Sequence, residues 1–315
     1  MEKRIHIGVS SCLLGQHVRF DGGHKHSQYV TQILGEYFDF VPYCPEMTIG
    51  LGAPRTTLQL VSRGGEARLL NSMDHGIDHT EAMRAAALQQ CRQLTGISAY
   101  ILKSKSPSCG MERVNLYNES DMPAKIGVGL FAQALMEQYP DLPVEEEGRL
   151  NDAHLRENFI ERVFAYFRWQ QMLEAGLTVP ALLEYHRGHK FTLLAHDEVS
   201  YRQLGPLVAS ATADNLQQIA SEYIATFMQA MKQHATRKRH MNVLQHIMGF
   251  LKNDLTTDDK QELLELLDKY RNGLVPLVVP ITLLKYHLRK HPQDYIEQQY
   301  YLEPYPEELM LRNYV

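Results

Sequence analysis

The 315-residue chain has no apolar run near the ~20 residues a membrane-spanning helix needs, so no span is expected. Its opening, MEKRIHIGVSS, is positively charged but has no long apolar stretch and no small-residue cleavage site. That argues against an export signal. Cysteine is scarce. Four residues, Cys12, Cys44, Cys91 and Cys109, are too few for a disulfide scaffold. Reduced thiols in a cytoplasm are the expectation. There is no CxxC pair, no CxxxCxxC triple and no Cys/His finger spacing. No GxGxxG or GxxxxGKS/T follows a strand, so no nucleotide cofactor is expected. Neither sign of charge dominates: 32 Lys and Arg against 37 Asp and Glu leave a net charge of −5. That argues against a protein coated in positive charge but leaves room for a local basic face. The 15 histidines are scattered, and most suit a surface or hydrogen-bonded core role.

What is present divides into two halves. Up to residue 140, strand-like and helix-like segments alternate. Strands are expected at 5–9, 37–42, 57–62, 66–70 and 97–102, with a hairpin turned on Gly64-Gly65. Helices are expected at 27–35, 79–94 and 126–138, the middle one opened by Asp78 or Thr80. Alternation of this kind implies βαβ units, hence a layered α/β domain with a mostly parallel sheet. The stretch 139–148 holds two prolines, the acidic run Glu145-Glu146-Glu147 and Gly148, and reads as a solvated connector. The domain boundary is placed at 148, giving domains 1–148 and 149–315. The second half reads as all-α, with helices at 151–173, 180–187, 189–196, 198–209, 213–234, 238–253, 257–271 and 280–290.

Three cysteines stand out by their setting. Cys12 follows the apolar run IHIGV, Cys44 follows YFDFV, and Cys109 follows ISAYIL by way of Lys103-Ser104-Lys105-Ser106-Pro107-Ser108. In a parallel sheet the carboxyl ends of the strands line one edge, where ligands collect. Three soft sulfur donors there suggest a metal ion or an iron–sulfur cluster held at three corners. Zinc with a histidine such as His17, His24 or His75 is one option. All-thiolate ligation with one open position favours a cluster. Cys91, inside the expected helix 79–94 beside Ala87 and Leu88, suits a buried apolar role. Glu46, two residues from Cys44, lies near anything Cys44 binds and can act as acid or base. Ser106 can orient water or substrate, or organise the turn before Cys109. Lys103, Lys105 and Arg19 add positive charge around the same site.

Taken together these segments resemble a known family. Cys12-Leu-Leu-Gly15, Arg19-Phe-Asp-Gly22, Cys44-Pro-Glu46, Gly50-Leu-Gly-Ala-Pro-Arg55 and Ser104-Lys-Ser-Pro-Ser-Cys-Gly110 look like the thiouracil desulfidase (TudS-like) family, over residues 1–145. The helical remainder, including Leu183-Glu-Tyr-His-Arg-Gly-His-Lys190, is similar to the companion domain of the fused RudS-type thiouridine desulfidases that act on tRNA. The resemblance implies a [4Fe–4S] cluster on Cys12, Cys44 and Cys109 with one open iron. It also places Glu46 and Ser106 at the catalytic positions. The implied activity is hydrolytic exchange of C=S for C=O in 4-thiouridine of tRNA. Candidate RNA contacts are Lys232–His240, Lys285–His291 and Arg187 with Lys190, interleaved with Tyr185, Phe191 and Tyr286. Three alternatives stay open: a desulfidase of free thiouracil or thiolated nucleosides, a non-catalytic RNA-binding module stabilised by zinc or a cluster, and a cysteine-nucleophile hydrolase using a Cys–His pair, for which three loop cysteines are more than the chemistry needs.

Overall fold

A computed structural model describes residues 4–314. They divide into two compact units, the first ending at Asn151 and the second beginning at Asp152.

The first unit is layered α/β. Its strands are β1 (Ile5–Ser10), β2 (Phe38–Tyr43), β3 (Leu58–Arg63), β4 (Glu66–Asn71), β5 (Ile97–Leu102), β6 (Val114–Tyr117), β7 (Pro123–Gly127) and β8 (Val144–Glu146). Its helices are α1 (Pro45–Thr48), α2 (Thr80–Gln93) and α3 (Leu130–Gln138). The expected parallel sheet is there, with order β2-β1-β5-β8 and every pairing parallel. All six residues of β5 are buried, as befits a strand covered on both faces. The remaining strands form a second, mixed sheet of order β4-β3-β6-β7. The Gly-Gly hairpin falls where expected. Arg63 pairs with Glu66, and Gly64 and Gly65 both take positive φ, which a two-residue type I′ turn requires.

Three local expectations are corrected. The helix at 27–35 is one turn of π-helix, Tyr29–Ile33, followed by a 3₁₀ turn, Leu34–Glu36. Val30, Thr31 and Ile33 are β-branched and Gly35 is flexible, so a regular helix has little local support. The helix at 126–138 starts at Leu130, because Pro123–Gly127 pairs with β6 as an edge strand. The acidic run is no solvated connector. Glu145 and Glu146 are buried in β8, whose residues pair with Tyr100, Ile101 and Leu102. Arg149 pairs with Glu145 at 2.6 Å, Glu146 accepts the Met111 N–H at 2.9 Å, and Glu147 pairs with Lys103. Partners distant in sequence turn a polar run into a strand.

The second unit is all helix: α4 (Ala153–Ala175), α5 (Val179–Gly188), α6 (Lys190–His196), α7 (Glu198–Ala209), α8 (Leu216–Met231), α9 (Arg237–Phe250), α10 (Thr257–Arg271), α11 (Val278–Lys290) and α12 (Asp294–Glu297). Starts follow capping chemistry. Asp152 accepts from the N–H groups of His154 and Leu155, and Thr256 with Asp259 forms a capping box. One core gathers Trp169, Tyr185, Tyr223 and Phe227; another gathers Leu244, Leu263, Tyr270, Leu284 and Tyr301.

Five histidines are buried in this unit, and four of them, all but His287, fall into two kinds. His196 places Nε2 2.9 Å from a Glu161 carboxylate oxygen and Nδ1 2.6 Å from the Gln233 carbonyl. Both nitrogens face acceptors. Burial alone would lower the ring's pKa, but Glu161 raises it above the usual imidazole value. His186, His189 and His240 are held neutral. Burial, helped by Lys190, Arg168 and Arg312 respectively, lowers them to about 4, 3 and 3. In the unfolded chain these three rings take up protons near pH ~6.5. Below that pH the unfolded state binds more protons than the folded one, so stability falls as pH falls. His196 does not offset this, because it is protonated in both states there. The expected result is a melting temperature that drops steadily between pH 6.5 and pH 4. A flat profile across that window would contradict it.

Candidate functional site

The site grows from the carboxyl edge of the parallel sheet. β1 lies between β2 and β5, so the segments that follow these strands emerge side by side. After Ser10 the chain makes a 3₁₀ turn, Ser11–Leu14, closed by Gly15 at φ 88°, and this turn carries Cys12. Cys44 immediately follows β2 and is the N-cap of α1, with Pro45 at the first helical position. Cys109 ends a longer loop. The Ser106 hydroxyl accepts the N–H groups of Ser108 (3.2 Å) and Cys109 (3.1 Å), and its carbonyl accepts Gly110 N–H at 2.8 Å. The α3 N-terminus grips the same loop. Phe131 and Ala132 donate to the Ser108 carbonyl at 2.9 and 3.2 Å. Gly129 is required at this crossing, because a Cβ there would stand 2.5 Å from the Ser108 carbonyl carbon.

The three sulfurs sense one another. Burial pushes Cys12 up to about 11, against the nearby Lys103 charge and with the Cys44 charge adding to the rise. Burial raises Cys44, opposed by the Met47 and Glu46 N–H groups at the start of α1. Cys109 is raised well above the ordinary thiol value, by burial and then by Cys44, Glu46 and Cys12, with a hydrogen bond to Ser10 opposing. Burial thus disfavours the thiolate form at all three positions, and the influence of Cys44 on Cys12, and of Cys44 and Cys12 on Cys109, puts the three within electrostatic reach of one another. Cys91 is wholly buried in α2, and burial alone raises it to about 11. It has no place at this edge.

The donor chemistry fits a cluster. Among the described residues, no three His, Cys, Asp or Glu side chains are close enough to hold a single metal ion. Three thiols carried on loops that follow adjacent parallel strands are a soft, all-sulfur donor set, the chemistry an iron–sulfur cluster takes, with each thiolate on a different iron. The histidines considered as zinc ligands have other partners. His17 Nδ1 meets the Gly22 carbonyl at 2.9 Å, His24 accepts the His26 N–H at 3.2 Å, and His75 meets Gln59 at 2.5 Å.

Glu46 stands beside the sulfurs with both oxygens engaged. Arg55 donates to Oε2 from Nε at 3.1 Å and from Nη2. The Ser108 hydroxyl donates to Oε1 at 2.8 Å. Ser106, read as either orienting or turn-forming, organises the Cys109 turn. Lys103 is held by Glu147 and by Ser104, both contacts to Ser104 measuring 3.0 Å. Arg55 and Ser108 lie within the family-like motifs, but nothing in the sequence around them assigns either a role. Their partner lies 9 and 62 residues away, and no local spacing reveals it.

In the second unit, burial trims the candidate RNA contacts. Tyr185 and Phe191 are core residues, and the Tyr185 hydroxyl donates to the Ala165 carbonyl at 3.0 Å. His240 and His287 are buried as well. Lys285 is taken by Glu303 (2.6 Å) and Glu307, and Arg239 by the His196 and His234 carbonyls. Arg187, Arg237, Lys238, Arg289 and Lys290 remain exposed, with Tyr286 41% exposed under the Lys290 ammonium.

A family model described as 2-thiouracil desulfurase matches residues 7–147, and one for a family of unknown function, DUF1722, matches 190–306. The chain belongs to the 2-thiouracil desulfurase family through its first half, joined to a DUF1722 domain. The uncharacterized protein YbgA of Escherichia coli (strain K12) is 33% identical over 48% of this chain and 90% of its own length. The uncharacterized protein YbbK of Bacillus subtilis (strain 168) is 32% identical over 46% of this chain and 98% of its own. The solved [4Fe-4S]-dependent thiouracil desulfidase TudS is 31% identical over 47% of this chain and 94% of that one, with a TM-score of 0.36. Among the described residues, no helix is long and apolar enough to cross a membrane.

Proposed function

We propose that the chain is a hydrolytic desulfidase that converts 4-thiouridine in tRNA to uridine, with domain 1–148 carrying the chemistry and domain 149–315 supplying affinity for the RNA. The observation that carries this reading is the convergence of Cys12, Cys44 and Cys109 at one sheet edge beside a half-buried, doubly held carboxylate. Family membership makes the substrate class a thiolated pyrimidine. A [4Fe–4S] cluster bound through these three cysteines, with one iron open, would supply a thiophilic Lewis acid for the thiocarbonyl sulfur.

The chain's own residues supply the rest. Ionised carboxylate oxygens offer about four lone-pair sites in all. Arg55 takes two on Oε2 and Ser108 takes one on Oε1, so Oε1 keeps a site for the proton of an attacking water. The Ser106 hydroxyl accepts two N–H groups and keeps its own proton to donate toward that water or a ring nitrogen. Water adds its oxygen to carbon, the C–S bond breaks, and sulfur leaves as sulfide. Carbon keeps its oxidation state, so no electron donor and no nucleotide cofactor is needed.

The deciding experiment compares turnover of thiolated tRNA and of free thiouracil by the anaerobically reconstituted full chain. Faster turnover of the tRNA supports the proposal. Equal or better turnover of the free base favours the thiouracil reading, and zinc without labile sulfide favours a non-catalytic module. Binding should also weaken with salt, because phosphate contacts release counterions. Replacing Lys238 or Arg289 by alanine is expected to lower the slope of log K against log salt by about 1 each. Unchanged slopes in both variants would move the RNA face elsewhere.

A further inference from the structure

Arg55 does more than neutralise a carboxylate. Its side chain is only 7% exposed, against 15% for Glu46. Every nitrogen of its guanidinium is committed. Nε and Nη2 hold Glu46 Oε2, Nη2 also donates to the Val18 carbonyl at 3.0 Å, and Nη1 donates to the Gly52 carbonyl. Its main-chain N–H donates to the Phe20 carbonyl at 2.8 Å. The Val18 carbonyl in turn lies 4.0 Å from Cys44 Sγ. One residue thus ties α1, the 18–20 strap and the 50–55 loop together around the acid–base group. A planar fork of five fixed donors can do this, whereas an ammonium cannot. An alternative in which Arg55 serves charge balance alone needs neither the fork on Oε2 nor the two carbonyl contacts.

We propose that Arg55 is a positioning residue for the desulfidase reaction. It locks the Glu46 rotamer and holds the 18–20 strap against it, so that Oε1, steadied by Ser108, is the oxygen that handles the proton. This rests on the desulfidase reading. Misplacement of about an ångström far from the reacting bond can cost ~10²-fold in rate. Arg55 acts through Glu46, so its loss falls on kcat more than on KM.

The test uses the full chain, reconstituted, as Arg55→Gln, Arg55→Lys and Arg55→Ala. Arg55→Gln is expected to keep iron and labile sulfide at wild-type levels, to keep KM near wild type, and to lose ~10²-fold in kcat. Arg55→Lys is expected to recover little, because it restores charge but not the fork. Added guanidinium is expected to restore part of the activity of Arg55→Ala. In crystals of metal-free Arg55→Gln the Glu46 side chain is expected in more than one rotamer while the Cys109 loop is unchanged. The proposal is overturned if Arg55→Lys turns over like wild type. It is also overturned if activity in every variant falls only in step with lost iron and a lower melting temperature, which is what a purely structural arginine gives. If the wild-type chain releases no sulfide from tRNA or thiouracil, the desulfidase reading itself fails, and the proposal with it.

Discussion

Alanine at Cys12, Cys44 or Cys109, one at a time, is expected to abolish iron and labile-sulfide binding together with the visible absorbance of the cluster and all desulfidation. Alanine at Cys91 is expected to leave all of these intact. The contrast follows from position. Cys12, Cys44 and Cys109 follow β1, β2 and β5, and each would raise the cost of ionising a neighbour among them. Cys91 sits wholly buried in α2 with burial as the sole influence on its thiol. Cluster binding must replace three thiol protons in a desolvated setting, so the bonds to iron carry the free energy, and losing one ligand of three leaves an edge-bound cluster open to solvent. Iron content and absorbance after anaerobic reconstitution decide the matter. Retention of a full cluster by any one of the three variants would remove that cysteine from the ligand set. Loss in the Cys91 variant would mean that packing of α2 rather than ligation controls assembly.

Glu46→Gln is expected to keep the cluster and lose ~10²–10⁴ in kcat, the range for removing a positioned general acid or base. Glutamine keeps the size of the side chain and can still accept from Ser108 or Arg55, so the fold around it should persist. It cannot take a proton from water. Glu46→Ala removes the partner of a guanidinium whose side chain is only 7% exposed as well, and a lowered melting temperature is expected alongside the lost turnover. Near-normal turnover in Glu46→Gln, with the cluster present, would end the acid–base assignment and pass the role to Ser106 or to water alone.

Much of this architecture was legible from local pattern. Strands β1 to β5, the Gly64-Gly65 hairpin and most helices of the second half follow from periodicity, β-branched runs and caps, which act between near neighbours in the chain. What stayed hidden needed distant partners. β8 reads as an exposed acidic run until Tyr100–Leu102, Arg149, Lys103 and the Met111 N–H are brought to it. β6 and β7 are short strands whose pairing, rather than their composition, makes them strands. Tyr185 and Phe191, with basic residues around them, read as stacking rings until the helical core covers them.

By itself the sequence determined that three cysteines follow three strand-like runs and that a glutamate stands two residues from one of them, because those relations are local and survive any packing. Only the tertiary structure decided that β1 lies between β2 and β5, which gathers the sulfurs on one edge. It alone decided that Arg55 and Ser108 close on Glu46 from 9 and 62 residues away. Strand order and buried ion pairs are set by burial and hydrogen-bond satisfaction across the whole unit, and no window along the chain contains both partners.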